Sequence, residues 1–297
     1  MKTALAWLKA SRLPSQSYIA LPLLMGQAWA WVAAGPQGSA VWSWAVFVLV
    51  QLFGVFDQLY IVYANDYADR DTDALNDTFT IFSGGSRVLV DGEIRPEQLK
   101  LAAQVMATCA LLTGVALGVG FGRWQVLPLQ AVGLGLLWAY SYPPLRLSYR
   151  GGGELLQALG MGLVLPLLGY VAQAGTTQGF PWVAMWFFVP LQLAGGMATS
   201  LPDEPSDRAS KKRTTSVTWG NKVTKILIVC ILLATLVTWV FATGPSRGIT
   251  PTWYALATPI ASIAGMILVG AWAKPGTLAL NVFVFFGILA NLSIVVA

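Results

Sequence analysis

Two short acidic runs contain the residues best placed to do chemistry in this chain. The first, NDYADRDTD, occupies residues 65–73, and the second, LPDEPSDRASKKRT, occupies residues 201–214. On a helix turning about 100° per residue, Asp66, Asp69 and Asp73 fall within about 60° of one another, while Asp71 points elsewhere. Asp203 and Asp207 are four residues apart and share a face in the same way. Carboxylates gathered in two stripes repel one another where water is scarce, unless cations lie between them. Ligands that are all oxygen favour Mg2+, which takes one or two carboxylates together with substrate phosphates. Arg87, Lys211, Lys212 and Arg213 stand alongside and suit the same phosphate oxygens. The pattern predicts a cradle that holds a diphosphate through divalent cations.

Other readings of these residues are weaker. A solvated rim at helix ends accounts for one acidic cluster more readily than for two. DRDTDA opens like a calcium loop, but Ala74 replaces the required glycine and Thr80 stands where the bidentate glutamate belongs. Gly84-Gly85 and the glycines at 151–153 lack the spacing and the preceding strand of a phosphate loop, so they are expected to be turns. The two cysteines, Cys109 and Cys230, sit inside apolar runs without ligand spacing and are expected to act as small hydrophobes. The chain has no histidine, which excludes imidazole proton relays, haem axial histidines and the usual zinc sites.

The elements that must position these residues follow from composition. Of 297 residues, 56% are hydrophobic and only 10% are charged. A soluble domain carries about 25% charged residues, so this chain cannot clothe a water-facing surface. Disorder, a disulfide scaffold and a nucleic-acid-binding domain all fit poorly. Apolar runs of spanning length cover residues 17–34, 42–64, 99–121, 126–142, 154–173, 182–201, 223–243, 253–273 and 277–297. The expected fold is all-α: a polytopic membrane protein of nine transmembrane helices, a single domain over residues 1–297. The N-terminus and the even-to-odd connections hold 16 of the 18 basic residues, leaving Arg123 and Arg247 on the other side. The positive-inside rule then puts the N-terminus in the cytoplasm and the C-terminus outside. The first run is expected to be a retained span and not a cleaved signal, because Ala28-Trp29-Ala30 is a poor cleavage site.

Twelve of the 13 acids fall on the same side as the basic residues, although the topology rule needs no acids there. The thirteenth, Asp57, lies within the second span. An intramembrane acid is functional by default, yet an unbroken helix turns Asp57 away from Asp66 and Asp73, and no catalytic role is assigned to it.

NDxxDxxxD after the second span and DxxxD after the sixth, together with PLLMG in the first helix, YPPLR after the fourth and the trailing DRASKKRT, resemble the UbiA superfamily of intramembrane aromatic prenyltransferases. NDYAD and GGSRVLVDGEI look closest to the menaquinone-type branch, which acts on 1,4-dihydroxy-2-naphthoate. The DRDTDALNDTFTIF segment departs from that branch. The resemblance implies helices around a central cavity capped by two cytoplasmic loops, in a cell membrane, with the active site open to the cytoplasm. It implies that Asp66, Asp69, Asp73, Asp203 and Asp207 hold Mg2+ on an isoprenyl diphosphate and that Asn65 assists. Arg87, Arg146, Lys212 and Arg213 would contact the phosphate, and Tyr142 would stand beside the reacting carbon. Arg12 either joins them or serves topology alone.

The implied partners are an isoprenyl diphosphate, an aromatic acceptor and membrane lipid, with no nucleic acid. A terpene cyclase of the same fold, which ionises the diphosphate without an acceptor, is the alternative. A secondary transporter fits less well, because the carboxylates lie at one rim and not at the midplane.

Overall fold

The computed structural model describes residues 2–37, 41–77, 79 and 84–243, and every regular element among them is helical. In chain order these are α1 (Lys2–Ala10), α2 (Ser17–Ala33), α3 (Trp44–Asp73), α4 (Pro96–Phe121), α5 (Val126–Ser141), α6 (Gly153–Ala174), α7 (Met185–Ser200), α8 (Glu204–Ala209) and α9 (Thr215–Thr243). Five of them, α3, α4, α6, α7 with its leading turn, and α9, are long and apolar enough to cross a membrane. The first seven expected spans each coincide with a helix, whereas those at 253–273 and 277–297 lie outside the described residues.

Local chemistry sets the boundaries. The Ser43 side chain accepts from the Val46 N–H at the start of α3, and Pro96, with the Gln98 side chain accepting from the Arg95 N–H, starts α4. Gly122 and Gly175 end α4 and α6 in the left-handed conformation that glycine adopts without a Cβ penalty. Arg123, which the charge pattern puts away from the other basic residues, donates from Nε to the Ala172 carbonyl and from Nη2 to that of Gln173, both at 3.1 Å. It therefore satisfies carbonyls that the end of α6 leaves unpaired.

Two boundaries differ from the hydropathy reading. α3 continues as one helix through its acidic run, so the carboxylates ride on the same rigid element as the apolar segment. α9 starts at Thr215, earlier than the expected 223, because its first turns are polar and a hydropathy window passes over them. Gly220, at φ 82°, kinks it.

α3 packs along α4, α2 along α6, and α7 along α9. The α2–α6 crossing depends on small residues. A Cβ at Gly26 would strike the Pro166 carbonyl, and one at Gly169 would strike that of Leu23. Leu23, Phe53, Leu117, Leu168 and Tyr170 belong to the main core, while Ala194, Ala198, Leu201, Ile228 and Leu232 form a second one between α7 and α9. A π-helical turn at Gly160–Val164 interrupts α6 and sets Gly162 against the Val189 backbone, with an added Cβ only 2.8 Å from its Cα.

Exposed Trp31, Trp44, Trp124, Trp182 and Trp186 fall by connectivity at the end of the bundle opposite the acidic runs. Tryptophan favours the interface between membrane and water.

Candidate active site

The last turns of α3 meet the α7–α8 junction over one polar cavity of about 130 Å3. Asp69 and Asp73 reach it from α3, Asp203 and Asp207 from α8 and its N-cap, and Lys212 from the loop beyond. The two acidic runs, 130 residues apart in sequence, thus face one opening.

Lys212 joins the two sides. Its Nζ donates to Asp69 Oδ2 at 2.8 Å and lies 3.8 Å from Asp207 Oδ1. Burial alone would lower its pKa, but Asp69, then Tyr140 and Asp207, outweigh burial and hold the ammonium well above its ordinary value. Burial pushes the Asp207 carboxyl up to about 7; Lys212 opposes this, while Asp203 and Asp69 add to it. Asp69 also accepts from Asn65 Nδ2 at 3.0 Å and from the Tyr149 hydroxyl at 3.1 Å. Burial, and next Asp69, raises the Tyr149 pKa, so its hydroxyl keeps the proton it donates. Asn76 Nδ2 donates to Asp203 Oδ1 at 2.8 Å and ties the end of α3 to the start of α8.

Asp66 is buried just behind this opening. Arg12 Nη2 donates to its Oδ1 at 2.7 Å, and Ser86 donates to its Oδ2 through the backbone N–H at 3.1 Å and also through its hydroxyl. Asp73 has no donor among the described residues. Instead Gly85 lies so close that a Cβ there would strike its carboxylate, and a Cβ at Gly84 would meet Asn76 Nδ2 at 2.6 Å. Both glycines have positive φ, 78° and 74°. The glycine pair expected to be a plain turn is therefore a close-fitting flap on the acidic helix end.

Below the polar cavity lies an apolar chamber of about 240 Å3, walled mainly by aliphatic side chains of α2, α3, α5, α6 and α7. Arg12, Asn65, Tyr140, Gln157, Gly196 and Thr199 line both spaces. A charged head and a hydrocarbon body can therefore occupy neighbouring compartments of one site.

The non-glycine residues with left-handed φ among those described are Arg12, Arg87, Arg146 and Lys211, at 43°, 64°, 42° and 64°. All four are cationic, and all lie at the acidic end. Strained backbone of this kind concentrates at functional sites.

The expected phosphate-binding residues do not all converge. Lys212 and Asn65 line the polar cavity. Arg87 turns onto its own loop, donating from Nη1 to the Asp73 carbonyl at 3.1 Å and the Asn76 carbonyl at 2.9 Å. Arg146 stacks on the Tyr149 ring, 3.6 Å from its centroid, and so supports a partner of Asp69. Arg213 is exposed and lines neither cavity, because the chain at Lys212 turns the neighbouring side chain outward. Tyr142 donates to the Ala64 carbonyl at 2.8 Å and lines neither cavity, whereas Tyr140 stands at their junction. Sequence reasoning missed Tyr140, Tyr149, Asn76 and Glu154, whose Oε1 accepts from the Thr215 N–H at 2.7 Å at the start of α9. Their only signal was proximity to YPPLR and to the acidic runs.

No group of three or more carboxylates among the described residues is close enough to surround an ion unaided. Apart from the Arg12 and Lys212 cations, the polar groups around the opening are nevertheless hard oxygens and amides on two facing walls. That set suits Mg2+, which completes its octahedron with water and phosphate oxygens.

The sequence profile described as UbiA prenyltransferase family matches residues 19–292. The chain is 28% identical over 178 residues to the 2-carboxy-1,4-naphthoquinone phytyltransferase of Synechocystis, a match covering 59% of this chain and 52% of that protein. It is also 28% identical over 206 residues to the 1,4-dihydroxy-2-naphthoate octaprenyltransferase of Mycobacterium leprae, covering 66% of this chain and 65% of that protein. The chain thus spans about half the length of the first relative and just under two thirds of the second. Among solved structures, a UbiA homolog from Archaeoglobus fulgidus bound to GPP and Mg2+ superposes with a TM-score of 0.72 at 17% identity, over 98% of this chain and 100% of that one. The apo UbiA homolog from Aeropyrum pernix gives 0.71 at 16% identity, over 94% of each chain. These two likenesses establish the fold.

Proposed function

This chain belongs to the UbiA prenyltransferase family, and on that premise we propose that it transfers an isoprenyl group from a polyprenyl diphosphate to an aromatic acceptor within the membrane. The observation that carries the proposal is the pair of contiguous compartments, a carboxylate-lined mouth above an apolar chamber. A diphosphate suits the first and a hydrocarbon chain the second. The names of the two curated relatives point to a bicyclic naphthoate-type acceptor, as in the menaquinone pathway.

Asp66, Asp69, Asp73, Asp203 and Asp207 are the proposed Mg2+-holding set, with Asn65 in support. Bound Mg2+ would neutralise the charge that develops on the leaving diphosphate. The chain's own residues do the rest. Lys212 and Arg12 line the mouth as fixed cations, already anchored by Asp69 and Asp66. Tyr140 turns a ring toward the junction, where an allylic cation forms and gains from a π face. The apolar walls exclude the water that would quench that cation to an alcohol. Burying the prenyl tail is worth about 0.8 kcal/mol per CH2, which favours a site within the bilayer.

The proposed topology is nine spans in the cell membrane, with the N-terminus and the carboxylate mouth on the cytoplasmic side. The concentration of basic residues at the near end supports it.

The test is to incubate purified protein with Mg2+ and geranylgeranyl diphosphate, with and without 1,4-dihydroxy-2-naphthoate. The expected result is a prenylated naphthalenoid that requires both Mg2+ and acceptor. A terpene hydrocarbon formed without acceptor would overturn the transferase reading.

A further inference from the structure

Glycines at the helix crossings of this bundle have a packing reason: a Cβ at Gly26, Gly162 or Gly169 would run into the backbone of a neighbouring helix. Gly133, in α5, has none. A Cβ built there meets no heavy atom of the described residues within 4 Å. Glycine is nevertheless a poor helix residue beside alanine. The face of α5 that borders the apolar chamber runs through Gly133, Leu136, Leu137 and Tyr140, so a side chain at Gly133 would project into the chamber. Tyr140 marks the junction with the mouth, and Gly133 lies seven residues further in, about 10 Å along the helix axis. Asp57, eight residues below Asn65 on α3, and Leu165, eight below Gln157 on α6, line the chamber at a similar depth.

A second open glycine stands higher. Gly195, in α7, also lines the chamber, and a Cβ there likewise meets none of the described residues within 4 Å. It adjoins Gly196, which borders the mouth, and so lies beside even the shortest isoprenyl group. A dimethylallyl group held by its diphosphate at the mouth ends above the level of Gly133. A geranylgeranyl chain that stays in the chamber must run past that level.

We propose that Gly133 sets the length of isoprenyl chain that the site accepts, the space in place of a side chain admitting the distal units of a long chain. This deepens the transferase reading and rests on its assignment of the chamber to the isoprenyl group.

The test is calorimetric binding of dimethylallyl and geranylgeranyl diphosphates, in the presence of Mg2+, to the wild type and four variants. Gly133→Leu should bind the geranylgeranyl compound about 10- to 100-fold more weakly than the wild type, the range for overfilling a packed space. Its affinity for the dimethylallyl compound should stay within about twofold. Gly133→Val should show a smaller loss of the same kind and serves if the leucine variant does not fold. Gly195→Leu should weaken both ligands. Gly135→Leu is the control: that glycine lies on the same helix and is equally open, but it lines neither cavity, so both affinities should hold. Three results would overturn the inference and leave the transferase reading standing. These are Gly133 variants that bind both ligands as the wild type does, Gly133 variants that weaken both equally, or a Gly135→Leu variant with the same length selectivity. The first would mean that the tail leaves the chamber sideways into lipid. A wild type that shows the expected binding pattern but makes no acceptor-dependent product would overturn the transferase reading and leave the length gate standing.

Discussion

Replacing Lys212 by methionine removes the one cation among the described residues that touches both acidic walls, while keeping most of the side chain's volume. The ammonium lies 2.8 Å from Asp69 Oδ2 and 3.8 Å from Asp207 Oδ1. At an effective dielectric of about 20, these separations correspond to gross attractions of about 6 and about 4 kcal/mol. Desolvation offsets much of this, and breaking such a buried arrangement costs about 3–5 kcal/mol net. Two consequences follow, with opposite signs. The mouth loses a fixed positive charge facing the leaving diphosphate, so kcat should fall about 10²- to 10³-fold, as when a preorganised donor is removed. The same mouth becomes more negative, so the Mg2+ concentration for half-maximal rate should fall or stay level. Lys212→Arg keeps the charge and should restore part of kcat. The assay is initial rate against Mg2+ at saturating substrates, on protein whose folding is verified by thermal melt. A well-folded Lys212→Met enzyme with kcat within about threefold of wild type, or with a markedly raised Mg2+ requirement, would refute the reasoning.

Further substitutions probe the rest of the site. Asp66→Ala and Asp203→Ala should each lower turnover at least about 100-fold with the fold intact. Asp71→Ala should leave the rate near wild type, because that side chain is 91% exposed and off the stripe. Gly85→Ala combines φ 74° with a Cβ directed into the Asp73 carboxylate, so it should displace the flap at a cost of about 1–3 kcal/mol and raise the Mg2+ requirement measured by rate titration. Tyr149→Phe removes a donor to Asp69 and should reduce kcat about 10-fold. Arg146→Ala should do the same through the lost stacking, with a double variant no worse than either single one in a double-mutant cycle.

The seven long helices down to residue 243 were legible in the sequence because apolar runs and Gly or Pro breaks report directly on chain-local physics, whereas the short polar-ended α1 and α8 were not. So was the sharing of a face by Asp69 and Asp73, which needs only the helical period. Partners from distant segments were not. Arg12 finds Asp66 across 54 residues and Tyr149 finds Asp69 across 80, and no periodicity encodes either. The roles of Arg87 and Arg146 diverge from expectation for a related reason. A cation near an acidic motif can meet phosphate, a carbonyl or a ring, and only the left-handed turns at these residues decide which. Asp57 shows how a correct angular argument can mislead: turned away from Asp66, it still faces the chamber, because the cavity borders a different side of α3 from the one Asp66 occupies.

The most direct test of the shared mouth is calorimetric binding of geranylgeranyl diphosphate, with and without Mg2+, to the wild type, Asp69→Ala and Asp207→Ala. If both walls hold the cations, Mg2+ should strengthen binding in the wild type, and each single variant should lose that gain. Undiminished Mg2+-dependent binding in either variant would contradict a cradle built from both acidic runs.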